Sequence, residues 1–197
     1  MKKSLVVIII VLLVLAGFIF MWYPGVYNGL VQADENVKSA WGNVENQYQR
    51  RSDLIPNLVA TVKGYATHEQ TTLENVVNAR AKATQMTIDP TNLNEQTMAQ
   101  FQAVQGELSS ALSRLLVSVE AYPDLKANQN FLELQAQLEG TENRISTERT
   151  RFNDVAQQYN TMVRKFPNNI IAGISGFSVK PYFKSDSGAD KAPSVKF

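Results

Sequence analysis

Four groups of side chains are equipped for chemistry. His68 stands beside Glu69, and an imidazole next to a carboxylate is the pairing of a general base. Adjacent helical positions point about 100° apart, so these two side chains would not face each other. The frame Thr67-His68-Glu69-Gln70 also has capping-box form, which accounts for the same residues by helix initiation. Arg50, Arg51 and Asp53, followed by Pro56 and Asn57, form the second group. Paired guanidinium forks can grip a carboxylate or phosphate, but an interhelical ion pair fixing register explains them equally and is favoured. The third group is Glu142, Arg144, Glu148, Arg149 and Arg151. Charges of both signs at three- and four-residue steps read as a solvated helix face, with Glu142 and Arg149 two turns apart and able to help hold another helix. The fourth is Ser109, Ser110, Ser113 and Ser118, none with a base in frame to activate it. With one His and no Cys in 197 residues, thiolate zinc sites, disulfides, a cysteine nucleophile and any site needing two imidazoles are excluded. No catalytic, cofactor-binding or metal residue is assigned, and no cofactor or enzymatic activity is expected.

The elements that must position these residues are helices. Val37, Trp41, Val44, Tyr48, Arg51, Ile55, Leu58, Val62 and Tyr65 recur at alternating steps of four and three, a heptad seam. Arg51 interrupts it; its stem can be buried, but its head then needs an acceptor, for which Glu142 or Asp53 is available. The seam keeps phase through Pro56, which predicts one kinked helix and not two. Phase is lost after Tyr65, and a break is expected between Gly64 and Thr71, with Thr71-Thr72-Leu73-Glu74 as a second capping-box frame. A shorter helix through Leu73, Val76, Val77 and Arg80 follows, then a turn at Ile88-Asp89-Pro90-Thr91-Asn92. The next helix runs through Phe101, Leu108, Leu112, Leu115 and Val119 to about Tyr122. The last runs from Phe131 to Phe166 and stops at Pro167. Each has one apolar stripe and a wet face, so they must pack on one another. Short connections predict an all-α, up-down antiparallel bundle over residues 26–183. Residues 168–184 are expected to pack back along it without helical period, and the tail 184–197 is expected to be disordered. The seam, roughly 42 Å long, exceeds what the short second helix covers, which leaves room for a homo-oligomer or another membrane protein.

Composition divides the chain further. No charge occurs between Lys3 and Asp34, and Leu5 to Trp22 is apolar apart from Gly17. Residues 4–23 are long enough for a transmembrane helix in the lipid bilayer, closed by Trp22 and Tyr23, with a break or hinge expected at Pro24-Gly25. The run is longer than a signal-peptide core and lacks a small-residue cleavage site, so an uncleaved anchor is favoured. Lys2 and Lys3 precede it, and the positive-inside rule then puts residues 1–3 in the cytoplasm and the bundle outside. The charge balance, +1 overall, lacks the basic surplus of a nucleic-acid binder.

One set of residues is recognisable. Tyr27-Asn28-Gly29-Leu30-Val31, Trp41, and Arg50-Arg51-Ser52-Asp53-Leu54-Ile55-Pro56-Asn57-Leu58-Val59 resemble the LemA family. The likeness continues through Val62-Lys63-Gly64-Tyr65-Ala66, His68-Glu69 and Ala79-Arg80-Ala81, then Glu142-Asn143-Arg144-Ile145, Arg149, Phe152-Asn153, Tyr159-Asn160, Phe166-Pro167, Gly176-Phe177 and Pro181-Tyr182-Phe183. Phe152 stands where a Tyr is common. The resemblance implies a membrane-anchored helical bundle of bacteria, in the inner or plasma membrane, and implies no reaction. The expected work is that of a scaffold, adaptor or stabiliser of a membrane assembly. An extracytoplasmic sensory or ligand-binding bundle is the alternative, and a hydrolase is disfavoured by the want of a site.

Overall fold

A computed structural model describes residues 2–66 and 69–184, with the side chains of residues 2, 3, 15, 18 and 19 outside the description. Six α-helices carry the described chain: α1 Lys2–Tyr65, α2 Gln70–Gln85, α3 Glu95–Val119, α4 Pro123–Lys126, α5 Gln129–Arg164 and α6 Asn168–Ile174. No strand occurs among the described residues. The all-α expectation holds.

The helix α1 is the spine. It passes through Pro24 and Pro56 without interruption, so of the break or hinge expected at Pro24-Gly25 the break is not found. A proline removes one ladder bond but its fixed φ is helical. Trp22 and Val26, on either side of Pro24, both pack against the core and hold the helix together there. Among the described residues no helix is long and apolar enough to cross a membrane. The expected span at residues 4–23 is therefore not recovered as a crossing segment; the side chains of Leu15, Phe18 and Ile19 within that run are not described. What is observed is a helical run with its apolar side chains facing outward, Phe20 81% and Met21 84% exposed.

From Leu30 onward the seam turns inward. Val37, Trp41, Val44, Ile55, Leu58 and Val62 are wholly buried. The long helix α5 lies along α1 in the opposite sense: Gly29 faces Met162, Trp41 meets Phe152, Arg51 meets Glu142, and Tyr65 reaches Asn128. The same opposition links α2 to α3, where Lys82 meets Glu107 and Glu69 meets Tyr122. This corrects the expectation of surplus seam for a second copy. Coverage comes mainly from α5, with α2 adding to it at Ile55 to Val62, and it extends as far as Val62 before Tyr65 emerges.

Helix ends follow local chemistry. Asp89 accepts from the Thr91 N–H at the 3₁₀ turn Pro90–Asn92. Asn94 and Thr97 form a capping box at the start of α3, and Asn128 caps α5 through the Phe131 N–H. The expected boxes at Thr67 and Thr71 fare differently. Thr67 and His68 lie outside the described residues. Thr71 to Glu74 fall inside α2, whose N-cap Glu69 makes no side-chain cap bond to the backbone.

Residues 168–174 are helical, contrary to expectation, because the segment is too short for its Ile170-Ile171 and Ile174 to declare a period. Gly176 ends α6 at φ +78°, and the Phe177 N–H returns to the Ala172 carbonyl, closing a Schellman turn. The chain then runs extended along α5, as expected for a segment packing back. Asn160 accepts from the Lys180 N–H (2.7 Å) and donates to its carbonyl (2.8 Å). Asn153, two turns away, grips Phe183 in the same way at 2.8 and 3.0 Å. Replacing the buried Asn160 with Ala leaves a buried N–H and C=O unpaired and is expected to cost about 2 kcal/mol. Thermal melting checks the loss, and faster proteolysis after Lys180 should accompany it.

The tail beyond residue 184, expected to be disordered, lies outside the described residues.

Candidate functional site

The core is two apolar clusters separated by one polar layer. One cluster runs from Leu30 to Tyr48 of α1 with Met98, Phe101, Ile145, Phe152 and Tyr159. The other runs from Ile55 to Ala66 with Leu108, Leu115, Phe131 and Leu138. Between them α1 contributes Arg51, α3 contributes Gln105 and Ser109, and α5 contributes Glu142.

Arg51 is 1% exposed, so its charge must be met inside the protein. One terminal nitrogen donates to Glu142 Oε1 at 2.7 Å and Ser109 Oγ at 2.8 Å. The other donates to Gln105 Oε1 at 2.6 Å and the Gln105 carbonyl at 3.3 Å. The guanidinium also lies 5.1 Å from the Tyr48 ring centroid. Of the two acceptors expected, Glu142 is the one used. Asp53 is exposed and instead accepts from Gln49 at 2.7 Å. Arg50, Pro56 and Asn57 are exposed, on the far side of α1 from this layer. The Asn57 carbonyl accepts from Thr61.

Above Arg51 opens a cleft of about 630 Å³, lined by Tyr48, Gln102, Gln105, Ser110, Glu142 and Arg149 among others. Arg149 reaches the extended segment. It donates to the Lys184 carbonyl at 2.8 Å and stands 5.1 Å over the Phe183 ring, tying down the extended segment. Glu148 and Arg151 make a long surface contact at 3.9 Å. Glu69 accepts from Tyr122 and Thr72 at 3.2 Å each, which is a bond between helix ends. Its neighbour His68 lies outside the described residues. Among the described residues no group of three or more His, Asp or Glu is placed to hold a metal ion.

A second polar cluster is not among the four groups that residue type and spacing single out. Asp34 meets Lys38 and the buried Lys180 at 3.0 Å each, and the Lys180 ammonium stands 5.6 Å from the Tyr159 ring centroid. A signal for half of it exists: the seam runs back from Val37 by the same steps to Asp34 and Leu30. Asp34 thus interrupts the stripe as Arg51 does, with its partner 146 residues away.

Burial draws the Asp34 carboxyl upward, but hydrogen bonds from Lys38 and Lys180 and their charges outweigh it, leaving its pKa below the ordinary 3.8. Lys38 is held above its usual range by its bonds to Glu35 and Asp34. Burial, then the Asp34 charge, push the Tyr159 hydroxyl up to about 12. A depressed carboxylate stabilises the fold above its unfolded value and loses that contribution as pH falls through the folded one. Asp34→Asn is therefore expected to flatten the loss of stability expected of the native protein below about pH 4, as read by acid unfolding of both. Tyr159 acts at the other limit, its contribution present below its unfolded value near 10 and lost as pH rises towards 12.

The chain as a whole is similar to known proteins. The chain is 27% identical over 181 residues to magnetosome protein MamQ 2 of Paramagnetospirillum magneticum, covering 83% of this chain and 66% of that protein. It is 26% identical over 181 residues to magnetosome protein MamQ of Magnetospirillum gryphiswaldense, with the same coverage of each. Protein LemA of Metamycoplasma hominis is 24% identical over 156 residues, 79% of this chain and 68% of that protein. The chain thus spans just under two thirds of the length of the MamQ proteins it matches. Residues 40–197 match the LemA family description. That match takes in Trp41, the Arg51 layer and both asparagine clamps, and the chain belongs to the LemA family.

Proposed function

We propose that the chain is a membrane-anchored, non-enzymatic scaffold, adaptor or stabiliser of a membrane assembly. One observation carries this reading: α1 is a single helix that runs from outward-facing apolar residues into the buried seam of the bundle. An uncharged apolar run of this kind gains by lying in hydrocarbon, where its backbone is already satisfied as helix. In this reading residues 4–23 span the bilayer of the bacterial inner membrane, residues 1–3 stay in the cytoplasm, and an up-down bundle over residues 26–183 stands outside. The opposed contacts of α1 with α5 and α2 with α3 support the up-down order. Relatives named as magnetosome proteins or LemA, none of the three named for a reaction, support a structural role. The partners are other membrane proteins or a second copy.

Three experiments test this. Alkaline extraction should leave the full chain in the membrane pellet, and release into the supernatant would sink the anchor. Cross-linking in membranes should capture defined partners; a strictly monomeric chain that captures none would remove the scaffold reading. A reporter fused after Phe197 that works only in the cytoplasm would reverse the orientation.

The cleft above Arg51 favours a second reading, an extracytoplasmic bundle that binds a polar small molecule. Its mark would be a small molecule that raises the melting temperature of the native protein but not of Arg149→Gln.

A further inference from the structure

The end of the bundle where α1 leaves its apolar run is closed by α6, and α6 has two faces. Ile171 and Ala172 are buried, and α6 packs on α1. On α6, Ile170 and Ile174 lie one turn apart and are 53% and 78% exposed, and Phe166, in the turn before α6, is 76% exposed. Among the described residues they stay largely uncovered. Their level along α1 is fixed by the opposed helices. A side chain on Gly29 would meet Met162 of α5 at 3.9 Å. Arg164, two residues on, ends α5 about 3 Å further towards the apolar run, and Phe166 lies in the turn that follows it. The tip of α5 and all of α6 therefore sit beside the residues that close the apolar run. Phe177, just past α6, reaches the Tyr27 ring at 5.8 Å, and Tyr27 stacks on Tyr23.

Charge at this end has one sign. Residues 20–31 of α1 carry none, and residues 164–179 carry only Arg164 and Lys165, both exposed. The next base, Lys180, is buried against Asp34. No acidic residue occurs between Asp154 and Asp186. An exposed apolar stripe, flanked by two bases and by tyrosines, continuous with an apolar helix, has the chemistry of an interfacial lipid contact.

We propose that α6 is a second membrane contact, with Phe166, Ile170 and Ile174 seated in the headgroup boundary of a bilayer that carries anionic lipid. The inference rests on the reading of residues 4–23 as the anchor and adds to it. Two points of contact fix the tilt of the bundle on the membrane, where α1 alone would leave it free to swing.

The absence of native cysteine makes the test direct. Single variants Val11→Cys, Ile170→Cys, Ile174→Cys and Val117→Cys of the full chain are labelled with an environment-sensitive fluorophore. Each is reconstituted into vesicles of phosphatidylcholine and phosphatidylglycerol in equal parts, with brominated phosphatidylcholine as quencher. All four positions are exposed, so the fold is preserved. Val117 lies on α3 near the opposite end of the bundle and serves as the aqueous control. The expected result is quenching at Ile170 and Ile174 on the order of several-fold above that at Val117, alongside strong quenching at Val11. Arg164→Gln with Lys165→Gln should reduce the signal at Ile174 in these vesicles and not in pure phosphatidylcholine. Quenching at Val11 without quenching at Ile170 and Ile174 overturns the inference and leaves the anchor standing. No quenching at any of the four overturns both. A blue shift at Ile174 without quenching by bromine reports a protein surface over the stripe and overturns the lipid assignment.

Discussion

Trp41→Ala is expected to lower stability by about 3–5 kcal/mol, the largest effect of any single truncation proposed for this chain. Trp41 has no exposed surface, and it is where four segments meet. Its ring lies edge-on to Phe101 of α3 at 5.2 Å and to Phe152 of α5 at 5.7 Å, and stacks on Phe183 of the extended segment at 5.9 Å. Truncation opens a cavity that three stiff aromatic rings cannot collapse to fill, so the cavity contribution adds to the lost transfer energy. At this chain length the loss corresponds to a fall in melting temperature of roughly 10 °C. Trp41→Phe separates packing from polarity. The Trp41 indole N–H is buried with no hydrogen-bond partner, so removing it forfeits no bond. Trp41→Phe is expected to cost only about 1 kcal/mol. Thermal unfolding of the full chain by circular dichroism measures both. Equal losses for the two variants would show that the ring contacts do not set the stability of this joint.

Arg51→Ala is the second large effect, expected at about 3 kcal/mol. The loss has two parts: the packed stem of a wholly buried side chain, and acceptors on α3 left without a donor. Gln105 is buried and has no solvent to replace Arg51. Glu142, with 45% of its side chain exposed, can be rehydrated. The two partners of the ion pair are therefore unequal, and Glu142→Gln is expected to cost about 1 kcal/mol, well below Arg51→Ala. Arg51→Lys should fall between them, because an ammonium cannot present two nitrogens to Gln105 and Glu142 at once. A double-mutant cycle on Arg51 and Glu142 isolates their coupling. An Arg51→Ala variant that melts within a degree of the native protein would show that the polar layer does not join α1 to α3 and α5. Filling the layer with apolar residues at all of its positions is a different experiment, since a buried ion pair often stabilises no more than well-packed hydrophobes. Its cost would then be in specificity: the layer allows one register of α1 against α5, and continuous apolar clusters would allow others.

Much of this architecture is legible in the amino-acid sequence, for a simple reason. Helical period is a local property, and the spacing from Val37 to Val62 states which residues turn inward whatever they meet. The same spacing places Arg51 inside and requires an acceptor, narrowing the choice to Glu142 or Asp53. Deciding between them needs the fold. Asp53 is near in sequence but on the outer side of α1, whereas Glu142 is 91 residues away and lies across the helix pair. A seam that starts at Val37 begins one step too late to include Asp34. Its partner Lys180 cannot be found by any period, because the extended segment has none. The α6 helix is hidden because seven residues carry too little pattern, and its end is set by Gly176, a signal that the Schellman bond makes plain.

The surplus seam is a wrong inference with an instructive cause. It compares the length of α1 with that of its neighbour in sequence. The chain instead returns α5 along α1, and burial follows that distant pairing. Sequence by itself determined the helical class, the inward stripe, the uncharged run before Asp34 and the need of Arg51 for a partner, because each follows from residue type and local spacing. Tertiary structure alone decided which acceptor meets Arg51, where Asp34 finds Lys180, and which end of the bundle α6 closes. Those depend on contacts between residues far apart in the chain, and only packing brings them within the few ångströms at which hydrogen bonds and ion pairs act.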